Sequence, residues 1–254
     1  MKILDHLNIP YDEQSEDCII TCLDCSAESK CSVSKSEGNI WQCYRCKRQG
    51  NSITLIQLYY ASLPELTKQQ AQKYVHRKPG VPLKSLRDIG VKYCGRYFWF
   101  PVYSANKKLI ALTKYCTESN IAYGSPKPAS CSIMGLDRLT GAKEIWIAEG
   151  QADYLVMLGQ MKNADRPIDL LGTSGSGFAG SYLHVLEGKD VVLLYDNDKA
   201  GQDGVQSVAR RMKQSGHTVG SIKYLDWSKI RVPQHSEIPN KFDIRDLSLA
   251  YSGN

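Results

Sequence analysis

The chain has 254 residues, which is enough for one large domain or for two to three small ones. Hydrophobic residues make up 42% and charged residues 23%, as in ordinary soluble globular proteins. The sequence contains no apolar run of roughly 18 residues and no signal-peptide core in its first segment, MKILDHLNIPYDEQ, which argues against a membrane-spanning or a secreted protein. We therefore expect a reducing cytoplasm, where nine cysteines indicate metal ligation or free thiols rather than disulfides.

Two C-x₂-C knuckles come first along the chain, CLDC at 22–25 and CYRC at 43–46. Each knuckle can aim two thiolates at one point, and the segment between them is long enough for a hairpin that joins the pairs. The spacing predicts a structural, tetrahedral Zn²⁺ site, and a redox C-x₂-C is disfavoured because polar, turn-rich sequence surrounds both knuckles. Its four ligands are Cys22, Cys25, Cys43 and Cys46.

The other cysteines have no partner at knuckle spacing. Cys18 and Cys31 are the competing candidates for the zinc site, whereas Cys94, Cys116 and Cys131 are expected to be small buried residues.

Aromatic and basic side chains occur together near the second knuckle. Such a mixture is typical of a surface that stacks on single-stranded bases, although Trp41 fits equally well as the small core of the ribbon. The residues are Trp41, Tyr44, Arg45, Lys47 and Arg48.

Beyond the ribbon, residues 52–63 have helical spacing and are expected to pack back on it, while residues 65–82 look like a charged helix followed by a linker. The segments YFWFPVYS and KLIALTKYC, joined by the turn ANKK, predict a hairpin. Between residues 68 and 116 the only acid is Asp88 among many lysines and arginines. This bias favours a surface that binds a polyanion, with a solvated lysine-rich face as the alternative.

Strand and helix patterns alternate from 143 to 230, which predicts a parallel sheet with helices on its faces. Two apolar segments, IWIAEG and VVLLYDND, run into Glu149, Asp196 and Asp198. Ligands of parallel sheets gather at the carboxyl ends of the strands, and strand alternation would place the two aspartates on one face with Asn197 pointing away. We interpret the three carboxylates as a magnesium site for phosphate chemistry. The alternative, a helix-capping turn at DND, explains Asp198 alone.

Glycines are frequent in the loop LGTSGSGFAG, at Gly172, Gly175, Gly177 and Gly180. Such a loop before a helix either cradles phosphate with backbone N–H groups or makes a tight turn.

The order of these motifs resembles the DnaG-type primases of bacteria and the phage primase-helicases. The matching motifs are CLDC, CYRC, RYFWFPVYSANKKLIALTKY, YGSPKP, MGLDR, AEGQADYL, TSGSG, YDNDKAGQDG and KFDIRDL. Phe242 stands where the family usually has lysine, and Cys25 replaces the histidine of many bacterial relatives, as in the phage type.

The resemblance implies an α/β fold class with an N-terminal four-cysteine zinc ribbon, a small α+β basic subdomain and a Toprim parallel-sheet domain. The expected boundaries are 1–62 for the zinc ribbon, 63–82 for the linker, 83–142 for the basic subdomain of the RNA polymerase domain, and 143–254 for the Toprim catalytic domain with the C-terminal segment.

The resemblance also implies synthesis of short oligoribonucleotides from NTPs on single-stranded DNA, with structural Zn²⁺ and catalytic Mg²⁺ or Mn²⁺. Glu149, Asp196 and Asp198 would hold the catalytic metal, with Asp153 and Asp243 near it and Asp246 completing the last acidic motif. The expected partners are the template, the RNA–DNA primer duplex and a replicative helicase that is a separate protein. Further candidates for contacts with template or triphosphate are Arg87, Lys92, Arg96 and Lys114, with Lys199 as such a contact or as an ion-pair partner of the acids.

Two other functions fit parts of the pattern. A Toprim nuclease or topoisomerase shares the carboxylates but cleaves, and a topoisomerase also needs a catalytic tyrosine in an additional domain. A replication accessory protein without catalytic activity would use only the ribbon and the basic hairpin to bind single strands, and the three retained carboxylates argue against it.

Overall fold

The computed structural model describes residues 2–36, 39–126, 133–161, 167–173, 180–233, 235 and 237–252. The chain divides into two compact units. The first comprises residues 1–66, 90–104 and 108–131, and the second comprises 67–89, 105–107 and 132–254. Within the described ranges, no helix is both long and apolar enough to cross a membrane.

The first unit begins with helix α1 and a five-stranded antiparallel sheet in the order β1-β2-β3-β4-β5. A longer helix, α2, follows this sheet and starts at a capping box in which the Asn51 side chain accepts from the backbone N–H of Thr54. The elements are α1 (Lys2–Leu7), β1 (Asp12–Glu13), β2 (Asp17–Ile20), β3 (Cys31–Ser34), β4 (Trp41–Cys43), β5 (Gln49–Gly50) and α2 (Ser52–Ser62).

A second antiparallel sheet completes the first unit and confirms the predicted hairpin. Its strands, in sheet order, are β6 (Lys92–Cys94), β7 (Tyr97–Tyr103), β8 (Leu109–Cys116) and β9 (Ile121–Tyr123). The apolar core of the ribbon is continuous with this sheet through Trp99, Leu109 and Leu112. Accordingly, the ribbon is packed on the sheet within one unit, although the sequence suggested that a linker at 63–82 separates them. The predicted domain boundaries themselves stay a prediction.

The second unit contains a four-stranded parallel sheet in the order β11-β10-β12-β13. Its helices include α5, which packs on β10 and β11 and also contacts α4 and α7. The elements are α3 (Lys68–Arg77), α4 (Leu83–Asp88), β10 (Glu144–Ala148), α5 (Gln151–Gln160), β11 (Ile168–Gly172), β12 (Asp190–Leu194), α6 (Lys199–Gln214), β13 (Ser221–Tyr224) and α7 (Ile244–Ser252).

The two central strands carry the apolar runs that predicted them. Ile145, Ile147, Val191 and Leu193 are fully buried on one face, whereas Trp146 on the other face is only half-buried. Burying four such side chains stabilises the sheet by roughly 1.5–3 kcal/mol each. Between β11 and β12, where the strand–helix alternation predicts a helix, the described residues form the 3₁₀ turn Gly180–Leu186.

Candidate functional site

Glu149 and Asp196 follow neighbouring strands at the same edge of the parallel sheet. Ala148 and Leu194, the last residues of β10 and β12, are paired in register. The backbone N–H of Asp196 donates to Glu149 Oε2 over 3.0 Å, so the orientation of the Glu149 carboxylate is fixed by the next strand. The segments IWIAEG and VVLLYDND therefore end side by side at one edge of the sheet, as the sequence predicted.

Asp198 is positioned by a helix cap and not by the strand alternation that the sequence predicted. Strand β12 ends at Leu194, and the Asp198 N–H bonds to Asp196 O over 2.8 Å, so strand alternation does not extend through DND. Asp198 is the N-cap of α6, where its Oδ1 accepts from Gly201 N over 2.8 Å. The capping interpretation of Asp198 is correct, and capping does not exclude metal ligation because a carboxylate has further lone pairs.

Two more acids lie beside these carboxylates. Asp153, in the first turn of α5, and Asp243, just before α7, are both nearly fully buried. A Cβ at Gly150 would come within 2.5 Å of Asp153 Oδ2, so the glycine of the AEG motif leaves the space that this carboxylate occupies.

Asn197 holds the segment that carries Asp243. Its N–H donates to Phe242 O over 2.9 Å, its carbonyl accepts from Lys241 N over 2.9 Å, and its side-chain amide donates to Pro239 O over 3.0 Å. Phe242, which occupies the place of the usual family lysine, is buried edge-on against Trp227 at a centroid distance of 5.7 Å. Hence the side chain of Phe242 fills core while its backbone positions Asp243.

Among the acids of the site, Asp196 has the most strongly raised pKa. Burial raises the pKa of Asp196 to about 8, with further increases from its acidic neighbours Asp153, Glu149, Asp243 and Asp198. Burial followed by the charge of Asp243 raises the pKa of Asp153 to about 6. The pKa of Glu149 is also raised, first by burial. Such a cluster favours either bound protons or a bound cation.

The donor set suits a hard divalent cation with an open coordination sphere. Among the described residues, only the four cysteine thiols form a group of ligand atoms that all lie within 4.8 Å of one another, so the carboxylates do not form a closed cage. Mg²⁺ typically keeps several waters and binds one or two carboxylates together with substrate phosphates. Glu149, Asp196 and Asp198 fit this mode of binding.

The four predicted cysteines converge in the ribbon. Cys22 Sγ lies 3.9 Å from Cys46 Sγ, and Cys25 Sγ lies 3.7 Å from Cys43 Sγ. Zinc–sulfur bonds of about 2.3 Å in a tetrahedron place sulfurs about 3.8 Å apart, so the spacing matches a four-thiolate zinc site. Cys31 is buried opposite Cys43 on β3 but lies outside the four-thiol group.

Both knuckles have the same backbone geometry. The residue after each second cysteine, Ser26 or Lys47, has a positive φ of 56° or 62° and donates its N–H to the carbonyl of the first cysteine. The backbone N–H of Cys46 also points at Cys43 Sγ over 3.5 Å and lowers the pKa of that thiol to about 6. The N–H thus favours the thiolate form of Cys43. In the absence of a metal, burial raises the pKa of Cys22, and, despite a hydrogen bond from the Arg48 N–H, burial and the neighbouring thiols raise the pKa of Cys46.

Comparison with known proteins agrees with this geometry. Residues 146–230 match the family model described as Toprim-like. This segment is a Toprim-like domain. It contains Glu149, Asp196 and Asp198 together with the strand ends that carry them. No curated protein sequence matches the chain.

Solved structures of primases share the fold well beyond the Toprim-like domain. The zinc-binding and RNA polymerase domains of the Aquifex aeolicus primase align with a TM-score of 0.53 at 14% identity, covering 97% of this chain and 79% of that one. The DnaG primase catalytic domain bound to single-stranded DNA aligns with a TM-score of 0.58 at 13% identity, covering 79% and 76% of the two chains. The E. coli primase catalytic core aligns with a TM-score of 0.54 at 13% identity, covering 78% and 74%. The chain thus has the fold of DnaG-type primase catalytic cores.

Two of the predicted nucleic-acid contacts are buried inside the first unit. Lys92 is 8% exposed, donates to Leu63 O over 2.9 Å and pairs with Glu65 at 3.2 Å. Lys114 is 6% exposed and donates to His6 O over 2.6 Å. Both lysine side chains stabilise the packing of their own unit, which sequence could not reveal because the partners are backbone carbonyls distant along the chain.

The other predicted contacts differ in their surroundings. Arg87 in α4 and Arg96 before β7 are exposed, although Arg96 Nη1 lies 3.8 Å from Glu118. Lys199 pairs with Asp203 over 2.7 Å, one turn along α6, rather than with the Toprim-like carboxylates. The backbone N–H of Asp246 donates to Asp243 Oδ1 over 2.9 Å, and the backbone N–H of Asp243 donates to Asp246 Oδ2 over 3.2 Å. These two hydrogen bonds cap the start of α7.

The structure also places the aromatic and cysteine side chains that the sequence singled out. Trp41 is 3% exposed and donates to Thr54 Oγ1 over 3.0 Å, so it is ribbon core and not a stacking surface, whereas Tyr44 is 56% exposed. Cys116 is buried as expected, but Cys94 is exposed, and Cys131 lies outside the described residues. Residues 174–179 of the glycine-rich loop, with Gly175 and Gly177, also lie outside them, so the phosphate-binding role of this loop stays a prediction.

Sequence reasoning missed two cations near the acids. Arg245 hydrogen-bonds Asp243 and lies 3.5 Å from Asp153, and Lys78, at the end of α3, is close enough to both acids for their charges to act on its pKa. The motif KFDIRDL places Arg245 between two aspartates, and that alternation was the available signal.

Proposed function

We propose that the chain is a DNA primase that makes short oligoribonucleotides from NTPs on a single-stranded DNA template by metal-dependent nucleotidyl transfer. The observation that carries the proposal is the convergence of acids around Asp196 at the carboxyl edge of the Toprim-like sheet. The primase fold, which covers nearly the whole chain, supports it.

Glu149, Asp196 and Asp198 would hold the catalytic divalent ion. When bound, Mg²⁺ or Mn²⁺ would polarise the transferring phosphoryl group and activate the 3′-hydroxyl, so that no protein nucleophile is required. The chain itself fixes the orientation of Glu149 through the Asp196 N–H and that of Asp198 through the Gly201 N–H. Asp196 must lose its proton before it can serve as a ligand.

The ribbon would hold structural Zn²⁺ through Cys22, Cys25, Cys43 and Cys46, because four thiolates leave the ion no open position. We infer that the ribbon helps to choose where on the template synthesis starts. The exposed ring of Tyr44, whose hydroxyl lies 3.3 Å from Ser32 Oγ, is our candidate for stacking on template bases.

Arg87 and Arg96 remain our candidates for contacts with template or triphosphate, because both are exposed. Lys92 and Lys114 are not candidates, because their ammonium groups have partners inside the first unit. The expected partners are the RNA–DNA primer duplex, as the product complex, and a replicative helicase.

The test is to incubate the purified protein with single-stranded DNA, Mg²⁺ and labelled NTPs. A ladder of short RNA that requires template and metal would support the proposal. Shortened DNA would indicate a Toprim nuclease, and binding without any product would indicate an accessory protein. Either of these two results contradicts the primase assignment.

A further inference from the structure

Arg245 forms a mostly buried ion triad with Asp153 and Asp243. One guanidinium nitrogen, Nη2, hydrogen-bonds Asp243 Oδ2, and Nε lies 3.5 Å from Asp153 Oδ1. The side chains of the two acids are 9% and 7% exposed and that of the arginine is 22% exposed. Two carboxylates this far from water are costly without a cation, and Arg245 supplies one.

The chain holds this arginine in place from several directions. Asp243 and Asp246 cap each other at the start of α7, which fixes the backbone on both sides of Arg245. A Cβ at Gly80 would lie 3.3 Å from Arg245 O, so the loop after α3 passes directly against the arginine. The Lys78 ammonium adds a second positive charge that acts on Arg245 and on both acids.

The other three acids of the site differ from this pair in their ion-pair partners. None of the ion pairs formed between described residues includes Glu149, Asp196 or Asp198. Among the described residues, these three acids therefore have no protein cation as an ion-pair partner, whereas the neighbouring Asp153 and Asp243 share Arg245.

We propose that Arg245 is a positioning residue that takes the place of a second divalent cation. The Asp153–Asp243 pair is thereby excluded from metal binding, and the chain binds one divalent ion, at Glu149, Asp196 and Asp198. This inference deepens the proposed function and rests on its metal site. It specifies how many ions the site takes and which of the five acids are ligands.

The test is to count bound Mn²⁺ in the purified protein by calorimetry and by electron paramagnetic resonance. We expect one ion per wild-type chain and two per Arg245→Ala chain, because removal of the guanidinium leaves two adjacent carboxylates for a new site. Arg245→Lys keeps a positive charge and should bind one ion, a rescue that a purely structural role of the arginine would not predict. Asp196→Asn, with Arg245 intact, should weaken the single site at least tenfold.

A charge-neutral triple variant, Asp153→Asn, Asp243→Asn and Arg245→Met, covers the case in which Arg245→Ala does not fold, since buried ion clusters often tolerate neutral replacement. It should bind one Mn²⁺ with an affinity within threefold of wild type. Two ions in the wild type, or loss of binding in a folded triple variant, would overturn the inference while leaving primer synthesis as the separate test of function. A wild-type chain that binds no Mn²⁺ would overturn both.

Discussion

The backbone N–H of Asp196 donates a 3.0 Å hydrogen bond to Glu149 Oε2, which joins the ends of two neighbouring parallel strands. Glu149 therefore has two roles at the site: it carries a negative charge, and it accepts this hydrogen bond. The two can be removed independently.

Glu149→Gln keeps an acceptor oxygen and removes the charge. We expect Mn²⁺ affinity and primer synthesis to fall by at least about a hundredfold, with no loss of thermal stability. Mutation of residues that only hydrogen-bond to a metal ligand already lowers metal affinity or activity by about tenfold to a hundredfold. Glu149→Ala should lose the same functions and also about 1 kcal/mol of unfolding free energy, because the Asp196 N–H loses its partner. Calorimetric metal titration and chemical denaturation check both variants. Equal stability of the two would show that the hydrogen bond contributes nothing.

The raised pKa of Asp196 predicts that metal binding depends on pH. Between pH 6 and 8, the affinity for Mg²⁺ should rise by up to about tenfold per pH unit, because the ion must displace a proton held with a pKa of about 8. Proton release on titration, measured in buffers of different ionisation enthalpy, should be largest at the lower pH. A pH-independent affinity contradicts the prediction.

The same group should make the metal-free fold less stable as pH rises. The folded state holds the Asp196 proton up to about pH 8, whereas the unfolded chain releases it near 3.8, so the unfolding free energy decreases across that window. Asp196→Asn should remove this decrease and, at pH 8, gain at least about 1 kcal/mol after allowance for solvent screening, or about 2–4 °C in Tm. Asp203→Asn, which changes an exposed acid on α6, is the matched control and should leave the pH dependence unchanged.

Asp198 combines a helix cap with metal ligation, and two substitutions separate these roles. Asp198→Asn preserves a cap and should keep the unfolding free energy within about 0.5 kcal/mol, whereas Asp198→Ala should lose about 1 kcal/mol. Both should weaken Mn²⁺ binding by a similar factor. Wild-type affinity in the asparagine variant would mean that this carboxylate is a cap only.

Cys43→Ser should release the zinc and unfold the ribbon, because a structural zinc site contributes folding free energy directly. Metal content measured by a chromogenic chelator should fall from one zinc per chain to none. Cys94→Ser changes an exposed cysteine outside the four-thiol group and should keep the full metal content. Zinc retained by Cys43→Ser would mean that another cysteine completes the site.

Substitution of Lys114 should affect the stability of the fold, whereas substitution of Arg96 should affect DNA binding. Lys114→Met should lower the unfolding free energy by about 1–3 kcal/mol, because the carbonyl of His6 loses a buried donor. Arg96→Ala should leave stability unchanged but reduce the salt dependence of single-strand binding by about 0.7 in the slope of log K against log salt. The reverse pattern would reassign the two residues.

Sequence was most informative where the geometry is local. The knuckle spacing of Cys22, Cys25, Cys43 and Cys46 determines the convergence of the thiols because each pair is held by its own turn. The apolar runs likewise predicted β10 and β12, since burial at the centre of a parallel sheet demands such residues.

Sequence was least informative where distant segments meet. Strand alternation gave the wrong account of Asp198, because the backbone turns at Asp196 and the helix cap positions the side chain. The burial of Lys92 and Lys114 and the approach of Arg245 to Asp153 depend on partners far along the chain. No periodicity or spacing encodes those contacts.

The three hydrogen bonds between Asn197 and the segment 239–242 have a practical consequence for protein engineering. A fragment that stops at the end of the family match, residue 230, would include four of the five acids and lack Asp243 together with the segment that Asn197 holds in place. A useful minimal fragment has to extend through α7, and fusion partners at the carboxyl end should be attached only after a spacer that leaves this helix free to dock.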